Sequence, residues 1–268
     1  MKMWTVLGRS LARSRALFFG LACVLGGFQF LLVIMAGEVH QSQAFSQLTA
    51  LVPPMIQQAL GGLAFTSFPA LVSFGYSHPI VVLALVEAAI FVGSEPAWEV
   101  EAGVLDLSMA RPVPRRMMIA RSALVVILTT AALATCMATA TRIALHAFAP
   151  AGAPWPPVAV TVTLALNLGT VALCFGCLSL AAASIASRRG AVLGTTGLAA
   201  IVLYLLNVVA QLWSPARRVV WTSPFHYYDA MAIVAGTATQ WPRDAAVLAA
   251  VSVASCAAAF VMYSRRDL

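Results

Sequence analysis

Charge is scarce in this chain. Only 9% of its 268 residues are Asp, Glu, Lys or Arg, against about 25% in an ordinary soluble domain. There is a single lysine, Lys2. Its position excludes an ATP-binding P-loop, whose lysine has to follow a glycine-rich turn to reach the phosphates. Neither G-x-S-x-G nor H-E-x-x-H occurs, so nucleophile-elbow and zinc-protease chemistry have no starting point. Cys174 and Cys177 form a C-x-x-C inside an apolar run, with no second pair. That is weak ground for zinc or a redox dithiol, because thiolates there would lack polar support. The histidines, His40, His78, His146 and His226, fall in different segments near the ends of apolar runs, as interfacial residues do. No metal site and no catalytic residue is expected.

Apolar residues fill the space that charge leaves. They make up 61% of the chain, more than the core of a soluble fold of this length can hide. The class is therefore an all-α integral membrane protein, one domain over residues 1–268. Six charge-poor runs set its spans, at about 16–37, 79–94, 122–141, 158–186, 191–212 and 245–263, each judged against a hydrocarbon core of about 30 Å. The first is too long for a signal-peptide h-region of about 7–15 residues, although Ser42 to Ala44 offers a passable cleavage site; an uncleaved span is expected. Before it, Lys2, Arg9 and Arg13 lie on one side of a helical wheel and Trp4, Leu7 and Leu11 on the other, the pattern of an interfacial helix lying flat. Leu48, Leu51 and Val52, then Met55, Ile56, Ala59 and Leu60, have helical spacing, interrupted by Pro53-Pro54 and closed by Gly61-Gly62, and read as two short outer interfacial helices. Pro69 interrupts the apolar stretch 63–76, which either dips into the bilayer or extends the second span.

Six spans put both termini on one side. Twelve Lys and Arg residues fall on that side and four, Arg142, Arg217, Arg218 and Arg243, on the other. By the positive-inside rule the termini are cytoplasmic, and the net charge of +7 is explained by orientation rather than by nucleic-acid binding. A bacterial inner membrane is the expected location.

Inside the spans, Glu87 is the notable residue. A charge at mid-bilayer costs about 2.5–3.5 kcal/mol on insertion scales, so it should face protein or water, or be protonated. Gln29, Asn167 and Asn207 are weaker pathway candidates, with Gln211 of the same kind, since buried amides often only join helices. Gly190-x-x-x-Gly194, with Gly197 after it, has the spacing of close helix packing.

The one charge-dense island lies at residues 95–121, between the second and third spans. Four of the nine acidic residues, Glu95, Glu99, Glu101 and Asp106, precede Arg111, Arg115, Arg116 and Arg121. Pro96 suits a first helical turn, and the early carboxylates favour its dipole. Glu95, Glu99 and Asp106 share one side of the wheel, opposite Ala97, Val100, Val104 and Leu107, with Gly103 loosening the middle. Pro112 and Pro114 should end the helix, leaving Arg115, Arg116 and Arg121 to meet lipid headgroups. Such a helix either connects two spans at the surface or docks a partner and passes force into them.

The stretch E-V-E-A-G-V-L-D-L-S-M-A-R-P-V-P-R-R, residues 99–116, resembles the E-x-E-x-G-T-L-[ED]-L-L-L-[ST]-x-P-[VI]-S-R signature of ABC-2-type transporter permeases. T-S-P-F-H-Y-Y-D-A, residues 222–230, is similar to a segment before that family's last span. Val104, Ser108-Met109 and Pro114 depart from the signature. The resemblance implies a permease subunit of an ATP-driven exporter, paired with a second permease subunit and resting on separate ATPase subunits that bind ATP and Mg. It implies that residues 95–110 are a cytoplasmic coupling helix, with Glu95, Glu99, Glu101, Gly103, Asp106, Arg111, Pro112 and Arg115 in the coupling region. Residues 187–190 would be a smaller contact. Rival readings are an ion-coupled secondary transporter using Glu87 and an intramembrane enzyme, for which no convergent catalytic set is evident.

Overall fold

The computed structural model describes residues 3–42, 67–103 and 115–265. All regular structure among them is helical. Among the described residues six helical segments are long and apolar enough to cross a membrane, and the architecture is that of a multi-pass membrane protein. This is what an apolar solvent demands, because a helix satisfies its backbone polar groups within its own segment.

The first helix, α1 (Met3–Ser42), is unbroken. At about 1.5 Å per residue it is roughly 60 Å long, twice the hydrocarbon thickness. Among the described residues no separate interfacial helix precedes the span. No proline lies between Arg9 and the span, and nothing else there stops the backbone ladder, so the arginine-bearing turns continue the span. The two outer helices expected over residues 48–60 lie outside the described residues.

α2 (Phe68–Ser77) and α3 (Pro79–Gly93) together make the second span. The alternatives for the 63–76 stretch thus resolve, over its described part, to an extension of that span. The break between them is local. Pro79 disfavours helical geometry at the preceding residue, and His78 accordingly has φ −62° and ψ 125°. Two hydrogen bonds, His78 N–H to Phe74 O and Val82 N–H to His78 O, carry the chain across the joint.

A short helix, α4 (Glu95–Glu101), follows α3 after Ser94. α5 (Arg115–Phe148) overruns the expected 122–141 at both ends, because its arginines continue the helix instead of ending it. α6 (Val158–Ile185) is the centre of the bundle. It packs against α3, α5 and α9 (Trp241–Ser264), and less extensively against α7 (Arg189–Leu212). Gly176 of α6 allows close contact with both α5 and α3: a Cβ there would sit 2.6 Å from Val126 Cγ1 of α5 and 3.2 Å from Ala89 Cβ of α3. Gly93 likewise abuts the Gly176 carbonyl, and Ser179 Oγ donates to Ile90 O at 2.9 Å. Gly190 and Gly194 do the opposite of what their spacing predicts. Both are exposed, with nothing within 4 Å of an added Cβ.

Between α7 and α9 the chain makes three 3-10 turns and a short helix, α8 (Ala230–Val234). Phe225 anchors this segment in the core, its ring 5.0 Å from Phe175 and 5.2 Å from Tyr204. Ser223 fixes the approach by donating to Leu203 O, and Asp229 caps α8 by accepting from the Ala232 N–H. At the other end of the bundle, Leu7 packs with Val92 and Val125, and Tyr263 with Met118 and Ile119. Both ends of the described chain therefore converge on the level of α4.

Candidate functional site

α4 is short because Gly103 stops it. The Ala102 N–H bonds Trp98 O, the Gly103 N–H bonds Val100 O, and Gly103 takes φ +64°. That left-handed conformation is a common helix terminator and favours glycine. The expected helix over 95–110 thus ends at Glu101, and Gly103 terminates it rather than loosening its middle. Asp106, Arg111 and Pro112 lie outside the described residues. Arg115 begins α5, and its side chain is also outside them.

The acidic face of α4 points inward. Glu95 and Glu99 are 8% and 4% exposed, and Ala97 between them is fully buried against Ala183 and Val192. The buried part of the helix is held on two sides: Ala97 meets α6 and α7, and Glu95 and Glu99 meet arginines. Arg121 of α5, 3% exposed, brings Nη1 to 2.7 Å from Glu99 Oε1. Its Nη2 lies 3.8 Å from Glu95 Oε2 and donates to Ser122 Oγ at 3.1 Å. Arg121 therefore does not meet lipid headgroups as its place before the third span predicts. Arg13 of α1 completes the set, 3.6 Å from Glu95 Oε1 and stacked 3.8 Å over the Trp98 ring.

A second arginine secures the α3–α4 joint. Arg189 Nε donates to Ser94 Oγ and Nη2 to Phe91 O, each at 2.9 Å, with the guanidinium 3.9 Å over the Phe91 ring. Ser94 Oγ itself donates to Phe91 O. A cation is favoured here, since the last carbonyls of α3 carry the negative end of its dipole. Glu101 is exposed, and its Oε2 accepts from the Arg189 backbone N–H at 2.8 Å. It thereby caps the first turn of α7, an end that attracts negative charge. A cleft of about 70 Å³ opens beside this cluster, lined by Ser10, Arg13, Ser14, Glu95, Trp98 and Arg189, among others.

Ion pairs and hydrogen bonds thus fasten one short helix to α1, α5 and α7. Removing one partner from a buried pair costs about 3–5 kcal/mol, because a charge is left unpaired in low dielectric. α4 and these spans consequently move as a unit more readily than they slide past one another.

No protein-family model, curated protein or solved structure matches the chain.

The pathway candidates are dispersed. Gln29 on α1 is fully buried beside Gly75 of α2, and neither amide atom has a hydrogen-bond partner. Asn167 on α6 is buried with Oδ1 unpartnered, and Asn207 on α7 is half-buried. Glu87 on α3 lies against Gly197 of α7, where an added Cβ would come within 3.1 Å of Oε2, and its Oε1 is buried without a partner. Among the described residues no hydrogen bond joins any two of these four. Each histidine instead packs on an aromatic ring: His40 on Phe68, His78 on Phe28 and Phe74, His146 on Trp155 and His226 on Tyr227.

Sequence reasoning missed Arg13, Ser94 and Trp98 as parts of the site, placed Arg189 only within the smaller contact at 187–190, and misplaced Arg121. One signal was present. Glu95 and Glu99 are four apart on a helix whose neighbouring spans are almost free of charge, so any arginine at that level is their natural partner.

Proposed function

We propose that this chain is the permease subunit of an ATP-driven transporter, working as an exporter, with α4 as the element that receives force from a separate ATPase subunit. The observation that carries the proposal is the buried Glu99–Arg121 pair, which makes a short inter-span helix an integral part of the spans around it. The resemblance of residues 99–116 to the ABC-2 permease signature supports it from the sequence. Lys2 being the only lysine, ATP and its Mg are bound by the partner and not by a P-loop of this chain. The basic end, with α4 and both termini, faces the cytoplasm on the positive-inside count, in the inner membrane of a bacterium.

In this mechanism the ATPase contacts the exposed end of α4, at Glu101 to Gly103. Closure of the ATPase pair displaces that end. The displacement passes through Glu95 and Glu99 to Arg13 and Arg121, and through Glu101 and Ser94 to Arg189, so that α1, α5 and α7 tilt together. Two such subunits enclose the path, and the tilt switches its access between the two sides. The test is purification of the full chain from its native membranes in mild detergent. A copurifying P-loop ATPase whose activity depends on this chain is the expected result; a chain that transports alone, driven by an ion gradient, contradicts it.

One observation favours a second reading. Glu87 is a carboxyl inside a span with Oε1 buried and unpartnered, the feature expected of an ion- or proton-coupled secondary transporter. Transport by Glu87→Gln distinguishes the two. An ATP-driven exporter retains ATP-dependent transport in this variant, whereas a proton-coupled carrier loses its dependence on the gradient.

A further inference from the structure

A groove of about 620 Å³ runs between α5 and α6 on the outer surface of the bundle. Its floor consists of small residues, Ala134, Ala165 and Gly169 among them, and its rims of larger apolar ones. On α5 it extends from Ile127 to Ile143, roughly 24 Å of helix at about 1.5 Å per residue. That is more than half of a hydrocarbon core about 30 Å thick, so an acyl chain from one leaflet fits along it entirely.

Arg142 stands at one end. It lies within the third span, yet none of the ion pairs among the described residues includes it. One N–H of its guanidinium donates to Pro156 O at 2.9 Å, and its carbon lies 5.8 Å from the centre of the Trp155 ring. Trp155 is itself exposed, as aromatic residues are at the level of lipid headgroups. A cation at the edge of hydrocarbon without a carboxylate partner calls for an anion there. The bilayer supplies one that is already joined to an apolar chain.

We propose that this groove binds one phospholipid of the surrounding bilayer, with an acyl chain along α5 and α6 and its anionic headgroup at Arg142. Arg142 lies at the end of the groove away from α4, and the site stands whether or not ATP drives transport.

The experiment is native mass spectrometry of the full chain in detergent, exchanged against equimolar phosphatidylglycerol and phosphatidylcholine. The wild type is expected to retain one lipid per chain and to prefer the anionic lipid about fivefold, the factor given by roughly 1 kcal/mol per arginine at an anionic surface. Arg142→Gln should abolish the preference while keeping lipid bound. Ala131→Phe, which places a ring in the groove from an exposed position, should reduce retention of both lipids with unfolding temperature unchanged. Absence of retained lipid on the wild type overturns the proposal, as a second copy of the chain covering the groove would produce. An equal preference in wild type and Arg142→Gln overturns it too. If Arg142→Gln does not accumulate, titration of the wild type decides: saturation at one phosphatidylglycerol supports the site, and binding without saturation contradicts it.

Discussion

Arg121 and Glu99 meet at 2.7 Å where both side chains are nearly sealed from solvent, one on a membrane span and the other on the short helix before it. Both occur in the charge-dense island, but the contact spans two helices. It turns a surface-looking acidic helix into a part of the bundle.

Breaking this pair should be costly. Glu99→Gln or Arg121→Leu leaves an unpaired charge in a buried site and should destabilise the protein by about 3–5 kcal/mol. Replacing both, Glu99→Met with Arg121→Leu, should cost much less than the sum of the single changes. Unfolding temperatures of the four proteins in one detergent give the cycle. Additive losses would show that the two residues act separately.

Arg13 should behave differently although it also faces Glu95. Its side chain is 45% exposed and the separation is 3.6 Å, so salt screens it and the pair is worth about 1 kcal/mol or less. Arg13→Ala should lower the unfolding temperature slightly at low ionic strength and scarcely at all at high salt. A loss as large as that of Arg121→Leu would show that Arg13 and not Arg121 holds α4.

The glycines give a contrast within one chain. Gly176→Ala places a methyl against Val126 of α5 and Ala89 of α3, and overpacking of this kind costs about 1–3 kcal/mol. Gly194→Ala meets open space, and removing a helix-interior glycine should be neutral or stabilise by up to about 1 kcal/mol. Thermal unfolding of the two variants should therefore shift in opposite directions or differ markedly in size. Equal shifts would contradict the placement of α3 and α5 against α6.

Cys177 and Cys256 provide a covalent check on the α6–α9 contact, their sulfurs being 3.3 Å apart. Oxidation by copper phenanthroline should join them in an intramolecular disulfide, with loss of two hydrogens by mass and a linked peptide after digestion. Cys256→Ser should abolish it. A link between Cys174 and Cys177 instead would mean that α6 and α9 do not pack here.

The spans were legible because a run without charge has few other uses, and all six central runs fall on helices. Their ends were not. Arg116, Arg121 and Arg142 read as boundary residues by composition, yet they sit in α5, where Arg121 is neutralised by carboxylates from another helix. The helical wheel put Glu95 and Glu99 together correctly, but a wheel says nothing of what a face meets, so an inward face was read as an outward one. Gly190 and Gly194 failed for the same reason. Helical spacing identifies a shared side, and only tertiary packing decides whether that side is buried.

The central claim, that the exposed end of α4 receives an ATPase, is tested most directly by a photoreactive residue at Glu101 in the full chain, activated in native membranes. The account predicts an adduct that contains a P-loop ATPase, formed from position 101 and not from Trp213 at the opposite end. An adduct with no ATP-binding protein from position 101, in membranes where the chain is transporting, would contradict it.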